Sequence, residues 1–112
     1  MRLAIALALA LVGCSKKAED KKPPAAMPEA EIHRGQDACK AYVDRACACT
    51  APAGPKLCEL AKPLPEALQI AAGVAMSPSS APEDAARAQV NVRETAKECI
   101  EQLAKLPALG CP

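Results

Sequence analysis

Seven cysteines and a single histidine carry the most reactive side chains of this 112-residue chain. Cys47-Ala48-Cys49 has the C-x-C spacing of a thiol redox pair, or of half a soft-metal site for copper(I). Structural zinc favours C-x₂₋₄-C pairs, of which there are none, and neither C-x-x-C nor C-x-x-C-H occurs. His33 has no cysteine beside it and reads as a solvated side chain rather than a ligand or general base. Asp44, Glu94, Glu98 and Glu101 have basic neighbours at helical spacing, such as Glu94 with Lys97 and Glu101 with Lys105, and read as a solvated helix face. No nucleophile-elbow serine or Gly-rich phosphate loop is present. The expectation is a protein that is not an enzyme and needs no cofactor or metal.

Cys14 stands in a different setting from the other cysteines. Met1-Arg2 is a short basic start, and residues 3–12 (LAIALALALV) form an uninterrupted apolar run of ten residues. As a helix that run is about 15 Å long, half of a ~30 Å hydrocarbon core, so it reads as an export signal rather than a span. Leu11-Val12-Gly13-Cys14 closes it and resembles the lipobox of bacterial lipoproteins. The resemblance implies cleavage between Gly13 and Cys14, diacylglycerol on the Cys14 sulfur, and a fatty acyl group such as palmitate on the new amine. Ser15 in place of aspartate resembles the sorting pattern of lipoproteins that move on to the outer membrane. Several acyl chains, at about 0.8 kcal/mol per buried CH₂, would hold the mature chain on its membrane.

With Cys14 committed to lipid, six cysteines remain: Cys39, Cys47, Cys49, Cys58, Cys99 and Cys111. An even set in a short exported chain is the arithmetic of a disulfide framework. Composition says why bridges are needed. Residues 30–112 hold sixteen large apolar side chains, Tyr42 included, with no Phe or Trp, and much of the remaining hydrophobicity is alanine. A core that small is marginal alone, so staples of about 2–4 kcal/mol each decide whether it folds. Removing Arg2 with the signal leaves 13 basic and 13 acidic residues, a balance that argues against a nucleic-acid partner.

The elements that would position these cysteines are helical. Residues 1–13 are the signal, and 14–29 carry the lipidated Cys14 and a polar, Pro-containing tether. The tether reaches about 50 Å at most and roughly 20 Å on average as a coil. Residues 30–112 are the domain. Its first helix follows Ile32, Cys39, Val43 and Ala46, with Tyr42 and Cys47 flanking the stripe. Gly35 weakens its first turn, and Asp37 offers an alternative N-cap for a start near Ala38. Residues 50–55 (TAPAGP) read as a turn and 56–62 as a short helical turn. A second helix runs over 66–76 from Pro65, using Leu68, Ala71 and Ala75 with Ile70 and Val74 nearby. Pro82 opens a third, where Ala85, Ala88, Val92, Ala96, Cys99, Leu103 and Leu106 repeat at steps of three and four before Pro107. Leu109-Gly110-Cys111 turns back beyond its end. No strand pattern appears, so the expected fold is all-α: an up-down-up three-helix bundle stapled by disulfides.

In that topology the first and third helices run parallel, and distance from their ends ranks the pairings. Cys39 and Cys99 each lie about 10–12 Å before the end of their helix and are level. Cys47 then matches Cys111, and Cys49 closes a local loop with Cys58; Cys47 and Cys49 trading roles is the near alternative. An antiparallel hairpin would instead join Cys39 to Cys111 and Cys47 to Cys99.

The C-x₇-C helix (Cys39, Cys47), the Pro65-Glu66-Ala67 helix start and the terminal C-x₁₁-C (Cys99, Cys111) resemble small Ala-rich exported lipoproteins of myxobacteria and their relatives. Cys49 and Cys58 depart from that pattern. The resemblance implies an exported helical domain and no particular reaction. The functional expectation is a membrane-anchored, non-enzymatic interaction module whose partner is an envelope protein or the cell wall. A thiol redox or copper-binding protein is the alternative from another class, and a small inhibitor of an envelope enzyme is a third.

Overall fold

The computed structural model describes residues 25–112. The expected signal, the lipidated Cys14 and tether residues 15–24 lie outside them. The described chain is helical: α1 Glu29–Ala48, α2 Gly54–Ala61, α3 Pro63–Met76 and α4 Pro82–Lys105, followed by a single 3₁₀ turn at Pro107–Leu109. α2 and α3 meet at Lys62, whose backbone is itself helical, and form the middle arm of the bundle. Pro63 separates them, because proline has no N–H to donate and its ring crowds the carbonyl four residues back. None of these helices is long and apolar enough to cross a membrane.

Proline and acidic residues mark where the helices begin. α1 follows Pro28, extended at the N-cap, and carries Glu29 and Glu31 in its first turn and Arg45 in its last. α4 opens with Pro82, Glu83 and Asp84 and ends with Lys105. Each places charge where the helix dipole favours it. α1 therefore starts at Glu29, and the alternative start near Ala38 is set aside. Gly35 lies mid-helix and buried, where it lets α1 approach its neighbours. The turn after α1 is shorter than expected: Gly54 and Pro55 already belong to α2, since a first-turn proline costs no hydrogen bond. α3 likewise starts at Pro63, ahead of the expected Glu66.

The bundle runs up, down and up. α1 and α4 are parallel, as pairs that rise together along both chains show: Glu31 with Arg93, Gly35 with Ala96, Cys39 with Cys99, and Cys49 with Cys111. The middle arm returns between them, and residues 77–81 reverse the chain into α4. Ser80 Oγ donates to the Val74 carbonyl at 2.8 Å, satisfying one acceptor at the open end of α3. Tyr42, Leu68, Leu106, Val92 and the sulfurs of Cys39, Cys99 and Cys111 fill the centre, with Ala46 and Ala61 closing the gaps. Ala85, Ala88, Val92, Cys99 and Leu106 are the buried stripe of α4 expected from its spacing. The packed body also takes in Met27, buried to 4 %, although the sequence places it in the tether.

Candidate functional site

The six cysteines of the domain form three bridges. Cys39–Cys99 joins the middle of α1 to α4, with both residues fully buried. Cys47–Cys58 joins the last turn of α1 to α2, and Cys49–Cys111 joins the residue capping α1 to the chain beyond the 3₁₀ turn. Their Cα separations of 4.8, 4.5 and 5.0 Å lie in the ordinary range for disulfides. The first pairing is the one expected from helix level. The other two exchange partners relative to expectation, with Cys47 bonded to Cys58 rather than Cys111, and Cys49 to Cys111 rather than Cys58.

Angular phase explains the exchange. At about 100° per residue, Ala46 returns to the face of Cys39, whereas Cys47 is turned about 80° away from it. Ala46 is accordingly buried against the core, while Cys47 is exposed and faces α2. Cys49 is outside the helix, with an extended backbone that carries it back over the bundle end. There Gly110, at φ 83°, turns the C-terminal segment so that the Cys111 N–H donates to the Leu106 carbonyl at 2.9 Å. The left-handed conformation at Gly110 is one a glycine adopts without a Cβ penalty. Thus the two sulfurs of Cys47-Ala48-Cys49 serve different bridges and do not act as a pair.

The remaining sequence candidates are dispersed. His33 is exposed on α1, beside a shallow surface formed with Gln36, Gln69 and Met76. Lys97 Nζ approaches Glu101 at 3.9 Å, one turn further along α4 rather than back toward Glu94. Glu98 acts on Tyr42: burial, and then the negative charge of Glu98, hold the phenol above its ordinary pKa. Among the described residues no three His, Cys, Asp or Glu side chains are grouped to hold a metal ion.

Two long-range contacts had no signal in the sequence. Arg93 Nε donates to Glu31 Oε1 at 2.8 Å across the α1–α4 seam, and this charge-assisted bond raises the arginine pKa further. Gln89, the buried polar side chain of α4, donates from Nε2 to the Ala25 carbonyl at 2.8 Å. Both pairs sit more than sixty residues apart in sequence, beyond any helical spacing rule.

An open groove of about 730 Å³ lies between α3 and α4. Ala67, Ile70, Ala71, Val74 and Ala88 supply apolar lining, and Asp84, Arg87, Asn91 and Glu94 add polar groups of mixed charge. Ile70 is 62 % exposed there, although the sequence sets it near the buried stripe. No protein-family model, curated protein or solved structure matches the chain.

Proposed function

We propose that this chain is a bacterial lipoprotein: a non-enzymatic interaction module held on the outer membrane by lipid on Cys14, facing an envelope protein or the cell wall. The observation that carries this reading is the cysteine arrangement. All six cysteines outside the lipobox-like Leu11-Val12-Gly13-Cys14 are paired among themselves, which leaves Cys14 as the odd one for lipid. Three bridges in so small a domain also fit an oxidising compartment, which an exported protein reaches. A copper or dithiol protein would need free sulfurs, and the six are engaged.

Metabolic labelling with radioactive fatty acid tests the anchor. Label should enter the protein and vanish in Cys14→Ala, and label retained by that variant would overturn the anchor. Density-gradient separation of the membranes tests the destination: the native chain should sediment with the outer membrane and Ser15→Asp with the inner. Counting free thiols in the unreduced mature chain tests the alternative class, with none expected.

A further inference from the structure

The way the chain enters the bundle selects which end of the domain faces the bilayer. Ala25 is tied through its carbonyl to Gln89 Nε2 at 2.8 Å, Met27 is buried to 4 %, and α1 starts at Glu29. Ala26 and Met27 of the entering segment line one cavity with Met76, Ser77, Pro78, Ser80 and Pro82, at the end of the bundle where α3 gives way to α4. A glutamine on a helix leans toward the helix N-terminus, so Gln89 holds Ala25 beside the first turns of α4. From that point α1 and α4 both run away toward the opposite end. There Cys47–Cys58, Cys49–Cys111 and the exposed Leu109 cluster.

The geometry points to a fixed polarity on the membrane, resting on the lipid-anchor reading above: the α3–α4 loop and the first turn of α1 are the bilayer-facing pole, and the double-disulfide pole is presented outward. Magnitudes decide this. Cys14 and Ala25 are eleven positions apart, which is at most about 40 Å of chain. The 24 residues of α4 make a rod of about 36 Å, nearly the whole of that reach. The tethered pole is therefore held near the headgroups, while an inverted domain, with the disulfide pole beneath and the tethered pole uppermost, would need the linker almost fully drawn out. Had the segment before Glu29 been free of the bundle, the fifteen positions from Cys14 to Glu29 could reach about 50 Å, longer than the α4 rod, and the preference would weaken. The bond to Gln89 and the burial of Met27 move the pivot from the start of α1 onto the side of α4.

Amide NMR on the full lipidated chain in nanodiscs, with a fraction of the lipid carrying a gadolinium chelate on its headgroup, reads the polarity. Amides at 29–33 and 77–84 should lose several-fold more intensity than those at 47–58 and 106–111. Equal loss at both poles, or greater loss at the disulfide pole, would overturn the orientation while an intact mass for lipid on Cys14 leaves the anchor standing. A chain that lacks the lipid mass and does not join the nanodisc would overturn the anchor, and the orientation with it. Gln89→Ala should narrow the contrast between poles without changing the three bridges, and an unchanged contrast would remove Gln89 from the account.

Discussion

Gly35 of α1 faces Ala96 of α4 so closely that a Cβ at position 35 would stand 2.9 Å from the Ala96 Cβ, and equally close to Leu68 Cδ1. Neither neighbour can step aside, because Leu68 is fully buried and the alanine Cβ moves only with its helix. Gly73 in α3 has open space where its Cβ would be. Two helical glycines thus predict opposite outcomes. Gly73→Ala should stabilise the domain by about 0.5–1 kcal/mol through helix propensity. Gly35→Ala gains the same propensity but meets an overpacking cost of about 1–3 kcal/mol, for a net loss. Urea unfolding of both variants checks the sign.

The three bridges should open in a set order. Cys47 is exposed and its bridge closes a separation of 11 residues, whereas Cys39 and Cys99 are fully buried and span 60. Loop-closure entropy assigns the short bridge about 3 kcal/mol and the long one about 4. A thiolate reaches Cys47 in the folded protein, but reaches Cys39 only after the core opens. Graded reduction followed by alkylation and peptide mapping should label Cys47 and Cys58 first and Cys39 and Cys99 last.

Tyr42 gives the domain an alkaline limit. Its phenol is held above the ordinary value of 10.0, first by burial and then by the Glu98 charge. The native state therefore keeps the proton at a pH where the unfolded chain begins to release it. Stability is unaffected below pH 10 and falls as pH rises from the unfolded toward the folded pKa. Absorbance of the tyrosinate should appear later in the folded protein than in urea. Tyr42→Phe should remove that part of the alkaline loss of stability, and Glu98→Gln should shift the titration downward.

Gln89→Ala should cost about 1 kcal/mol, the net worth of an ordinary hydrogen bond. The loss should be local, with faster hydrogen exchange and proteolysis around residues 25–32 and unchanged protection near Cys99. A uniform loss of protection would mean that Gln89 supports the whole core rather than the entering segment.

Much of the fold was legible because helices report themselves in spacing. The α4 stripe from Ala85 to Leu106 is buried or half-buried at each expected position, and Pro82 and Pro107 bracket the helix. α3 was harder to read because apolar residues surround it: Leu68 and Ala72 turn inward, while Ile70 and Val74 line an open groove. Periodicity cannot choose a face when every face qualifies. The Gln89–Ala25 and Glu31–Arg93 contacts were invisible for another reason, since each joins groups brought together only after α1 and α4 align.

The cysteines show the same division. The residues alone determine that six cysteines remain when Cys14 is set apart, that short connections make α1 and α4 parallel, and that Cys39 is level with Cys99. These follow from counting and from 1.5 Å of rise per residue. Only the tertiary structure decided between Cys47 and Cys49 as the partner of Cys111. Rise barely separates two residues so close in the chain. The choice rests on the direction each sulfur points, set by the rotation of α1 against its neighbours and by the extended backbone at Cys49.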